Sequence, residues 1–96
     1  MAHEKWSRSE IKASVVAYLE MLDLEERGQK FVKIEIIRKL QSTSLKGRTK
    51  GSVEKRFQNI SSVLENRGKT WVRGYKPLSH VGKNVWQEII DILDEQ

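Results

Sequence analysis

The chain has 96 residues, 38% of them hydrophobic, with three Trp, two Tyr, two Phe and no cysteine. That length holds one small domain with one core, and the apolar content is too high for a disordered chain. The absence of cysteine excludes disulfides, thiolate zinc sites and cysteine nucleophiles.

The formal charge of +5 is segregated along the chain. Residues 1–28 carry four basic and six acidic side chains, residues 29–83 carry fourteen and three, and residues 84–96 carry none and four. A basic middle of this kind favours a polyanionic partner, because each phosphate it neutralises releases condensed counterions. The opening MAHEKWSRSE has no apolar leader region and no stretch approaches a membrane span, so a soluble cytoplasmic protein is the expectation.

Ser7 and Glu10 form a Ser-x-x-Glu capping box, with Trp6 and Ile11 at the spacing of a hydrophobic staple. Ile11, Val15, Tyr18, Leu19 and Leu22 then mark one apolar stripe of a first helix that ends near Gly28. Its outer face holds Glu20, Asp23, Glu25 and Glu26, which repel phosphate.

Ile34, Ile36, Ile37 and Leu40 predict a short second helix over about 33–42, followed by a polar turn, QSTSLKG, with Leu45 as its anchor. A strand is the competing assignment for this β-branched segment. A third helix opens at Thr49 or Ser52, buries Val53, Phe57, Ile60 and Leu64, and closes with Gly68 at C′. Gly74 and Pro77 break KTWVRGYKPL. The last helix runs from about Val81 to Leu93 with an acidic end, which opposes the helix dipole and frays unless a basic neighbour compensates. The expected fold is all-α: residues 1–96 as one compact bundle of about four to five short helices, with a helix-turn-helix-like pair in helices 2 and 3.

Catalytic constellations are thin. His3 and His80 are isolated from each other in the sequence, and residues 47–52 lack the Gly-Lys-Ser/Thr spacing and preceding strand of a phosphate loop. No enzyme activity, metal or cofactor is expected.

Helix 3 carries the candidate reader. With its apolar residues turned inward, Ser52, Lys55, Arg56, Asn59 and Ser62 fall on the exposed flank, and Lys46, Arg48 and Lys50 lead in from the N-terminal side. Arg pairs bidentately with guanine and Asn with adenine, while Lys and Ser suit phosphate or base edges. Trp71, Arg73, Tyr75 and Lys76 follow in a loop where aromatic rings alternate with cations, a pattern suited to stacking a base or flanking a backbone; the other reading tucks Trp71 and Tyr75 into the core and leaves their cations outside. The same flank also fits a plain solvated helix face. The alternative reading is a protein-docking or dimerisation module, in which the basic middle of one chain meets the acidic ends of another.

GSVEKRFQNISSVLENRG, the following GYKPL and the opening WSRSEIKASVVAYLEML resemble, over roughly Trp6 to Val85, the N-terminal head domain of ScoMcrA-type modification-dependent (type IV, HNH) restriction endonucleases and of related multidomain bacterial defence proteins. The resemblance implies a non-catalytic head that stands beside other modules, a modified-DNA-binding domain with an HNH nuclease or another defence domain, in the same or a partner chain. It implies no binding residues of its own.

Overall fold

The computed structural model describes residues 5–96 and contains four helices: α1 (Arg8–Glu26), α2 (Lys33–Gln41), α3 (Lys50–Asn66) and α4 (Lys83–Glu95). His3 lies outside the described residues. No strand occurs among them, so the second segment is helical despite its β-branched residues. Short-range chemistry sets both ends of α1 and of α3. Ser7 Oγ accepts from the Glu10 amide at 3.1 Å while Glu10 Oε1 accepts from the Ser7 amide at 2.9 Å, the reciprocal box that starts α1. Thr49 Oγ1 accepts from the Ser52 amide at 3.1 Å and starts α3. α1 and α3 end alike, on Gly28 and Gly68 at φ of 72° and 71°. There the chain turns back to give paired bonds, Gln29 to Leu24 and Gly28 to Glu25 in one case, Lys69 to Leu64 and Gly68 to Glu65 in the other.

α1 and α3 each pack against every other helix and so form the central pair. Ile11, Val15, Tyr18 and Met21 from α1 meet Val53, Phe57, Ile60 and Val63 from α3 in one cluster that also takes in Ile37, Ile89 and Ile92. Leu45, Val72 and Tyr75 close it from the connecting segments. The buried Tyr18 hydroxyl lies 2.7 Å from Ser61 Oγ and accepts from the Val72 amide at 2.8 Å, tying α1 to α3 and to the 70s segment. Burial pushes the Tyr18 phenol above its ordinary range.

The acidic end of α4 has the basic neighbours that its dipole demands. Arg67 Nη2 donates to Asp94 Oδ1 at 2.8 Å, and Arg8 pairs with Glu95. Among the described residues, no helix is long and apolar enough to cross a membrane.

Candidate nucleic-acid interface

The segment entering α3 is held rigidly. Leu45 is buried, and Gln41 Nε2 donates to the Arg48 carbonyl at 2.9 Å, so the chain approaches Thr49 on a defined path. Arg48 then turns inward to α1. Its Nε and Nη2 donate to Glu10 Oε2 and Oε1, each at 2.8 Å, and Nη2 also donates to the Lys5 carbonyl at 3.1 Å. The two side chains keep only 16% and 20% of their exposure. The Arg48 guanidinium beside it is the main reason the Glu10 carboxyl is held down at about 2, with the Ser7 bonds adding to the effect and burial opposing it. Glu10 therefore caps α1 and anchors the entry to α3 with one carboxylate.

Trp6 lies where these elements meet. The Arg48 guanidinium is 5.0 Å and the Arg56 guanidinium 4.6 Å from its ring centroid. Arg56 Nη1 donates to Asn59 Oδ1 at 2.9 Å, and Asn59 Nδ2 donates to the Leu78 carbonyl at 2.7 Å. Arg56 Nε is buried without a hydrogen-bond partner. No carboxylate pairs with Arg56 among the described residues. Burial first, and the like charge of Arg48 second, push Arg56 below the ordinary arginine range, while Glu10 offsets them in part.

Trp6, Arg48 and Arg56 line a cleft of about 860 Å³ between the starts of α3 and α4. Lys5, Arg48, Lys55, Arg56 and Lys83 supply positive charge to it, and Glu88 is the acid among its lining residues. Neither α3 nor α4 has an acidic residue in its first turn. α4 starts on Gly82 with no side-chain cap, so its first-turn amides find no side-chain acceptor.

Of the ten residues expected at the interface, Arg48, Ser52, Lys55 and Arg56 line this cleft. Lys46 and Lys50 are exposed outside it, with Lys50 Nζ 3.8 Å from Glu54. Asn59 is not on an open flank. It is fully buried, as Ser62 nearly is, because α1, α2 and α4 pack around α3 and leave its middle little free surface. Asn59 instead fastens Arg56 and the segment at Leu78.

Tyr75 is likewise not a stacking platform. It is buried with its ring 5.0 Å from Phe57 and with Lys33 Nζ 4.9 Å above it, and its hydroxyl has no hydrogen-bond partner. Burial pushes that phenol up to about 12. Arg73 and Lys76 are exposed but line a different cleft, with Trp71, Glu25 and Glu26. There the Arg73 amide donates to Glu25 Oε1 at 3.1 Å and Thr70 Oγ1 donates to Glu26 Oε2 at 3.0 Å, so the aromatic loop sits on the acidic face of α1.

Sequence reasoning missed Lys5, Lys83 and Asn84, which line the cleft. The available signal was Gly82-Lys83-Asn84 directly before the apolar Val85, an uncapped and acid-free helix start. Comparison of the chain with protein-family models, curated proteins and solved structures returned no match.

Proposed function

We propose that the chain is a nucleic-acid-binding module with DNA as its target, gripping backbone phosphates in the cleft between the starts of α3 and α4. The observation that carries this reading is Arg56: a half-buried guanidinium set beside a second one, stacked on Trp6 and paired with no carboxylate among the described residues. An intramolecular ion pair would have been the ordinary solution for such a group. A phosphate entering the cleft compensates the charge instead. Lys5, Lys55 and Lys83 add charge that no carboxylate of the described residues neutralises. With Asn59 turned inward, the contact is to the backbone rather than to base edges, and its sequence preference is weak.

The resemblance to head domains of modification-dependent restriction endonucleases supports the same reading. On that resemblance we read the module as part of a bacterial defence system, non-catalytic itself and working beside a nuclease or other defence domain. The docking alternative needs free acidic ends, and two of the four acidic residues after position 84 are already engaged by Arg67 and Arg8.

Fluorescence anisotropy with a labelled duplex tests the proposal. Four unneutralised cations predict a slope of log affinity against log salt of about −3 to −4, at about −0.9 per phosphate contacted. Lys55→Ala and Lys83→Ala each flatten that slope by about one. A chain that binds neither duplex nor single strands at about 50 mM salt refutes it.

A further inference from the structure

A duplex backbone offers phosphodiesters on a convex surface, each with one charge and two non-bridging oxygens, and a flat basic strip suffices to hold them. This chain instead arranges its cations around a recess, and they come from different directions: Lys5 ahead of α1, Lys55 and Arg56 on α3, Lys83 at the start of α4. The recess also differs from its surroundings in what has been left out. α1 and α3 close their first turns with Ser7 and Thr49, whereas α4 begins on a glycine with no capping side chain; the first turns of α3 and α4 are free of acid, and Glu88 is the acid that lines the recess. Arg56, held in place by Asn59 and Trp6, lines the same recess.

Cations contributed by separate elements to one recess suit a group with three acceptor oxygens, close to two negative charges and a single attachment point. We infer that the cleft formed by Lys5, Lys55, Arg56, Lys83 and the uncapped start of α4 is a seat for a phosphomonoester, the group carried by a phosphorylated DNA strand end. This rests on the DNA-binding reading and adds to it a preference for ends. The same chemistry is offered by a small phosphorylated ligand, and the experiment separates the two sources.

The full chain is titrated against two duplexes of one sequence, one with 5′-phosphates and one with 5′-hydroxyls, and separately against inorganic phosphate with amide chemical shifts as the readout. The expected result is about tenfold tighter binding of the phosphorylated ends, the scale of one additional charge-assisted hydrogen bond. Lys83→Ala removes most of that preference. Lys83 is exposed and unneutralised, so this variant keeps the wild-type circular dichroism and thermal midpoint. Inorganic phosphate shifts the amides of Lys83, Asn84 and Val85.

Equal affinity for the two ends, with those amides unmoved by phosphate, overturns the inference and leaves DNA binding standing. Loss of binding to both duplexes, again with unmoved amides, overturns the DNA-binding reading as well. Amides that respond to phosphate while the ends bind alike keep the phosphomonoester seat and assign it to a small ligand.

Discussion

Glu10→Gln isolates the carboxylate that joins the start of α1 to the start of α3. Glutamine serves the N3 position of a capping box, so the helix start survives and what is lost is the charge facing Arg48. A carboxyl held at about 2 against an ordinary 4.5 corresponds to about 3 kcal/mol, at about 1.4 kcal/mol per pH unit. Glu10 keeps 20% of its side-chain exposure, and screening by the solvent that reaches it brings the expectation to about 2 kcal/mol.

The sign follows from the depressed value. The stabilisation is present above the ordinary carboxyl range and is lost as pH falls through about 2. Urea unfolding of wild type and Glu10→Gln therefore gives a gap that is constant from neutral pH down to about pH 5, falls to about half by pH 3 and closes near pH 2. In a thermal melt at neutral pH the variant loses about 10 °C, at about 4–8 °C per kcal/mol for a domain of this size. A gap below about 0.5 kcal/mol at pH 6, or one that is unchanged at pH 3, refutes the account of Glu10 as a buried electrostatic anchor.

The same variant tightens binding to duplex DNA in anisotropy titrations, because Glu10 partly offsets the positive field at Arg56; weaker binding by a folded variant contradicts the placement of the interface. Asn59→Ala costs about 2–3 kcal/mol in urea melts, since it strands the Leu78 carbonyl and the Arg56 guanidinium. Lys55→Ala moves stability by no more than about 0.5 kcal/mol while weakening DNA binding. Tyr75→Phe is neutral or stabilising by up to about 1 kcal/mol, because it removes a buried hydroxyl that has no partner. Tyr18→Phe costs about 1–3 kcal/mol, because the Val72 amide loses its acceptor. The contrast between the two tyrosines, measured under one set of conditions, checks the hydrogen-bond assignments directly.

The helices and their ends were legible in the sequence because the interactions that set them span only a few residues. Ser7 with Glu10, Thr49 with Ser52, and the glycines at positions 28 and 68 each act within one or two turns, and the apolar residues at spacings of three and four residues mark which side of a helix faces inward. Charge segregation along the chain was equally open to inspection.

The composition of the interface was decided only in three dimensions. A helical wheel assumes one buried side, but α3 packs against three other helices, and its polar residues at positions 59 and 62 were covered in consequence. Asn59 has its partner at Leu78 and Arg48 has its partner at Glu10, separations that no local pattern encodes. Tyr75 became core because Phe57 lies beneath it, and Arg73 and Lys76 were carried to the acidic face of α1. Lys5 and Lys83 share a cleft although they stand near opposite ends of the chain. Hydrogen-bonded turns are properties of neighbouring residues. A convergence of like charges is a property of the packing that forces them together.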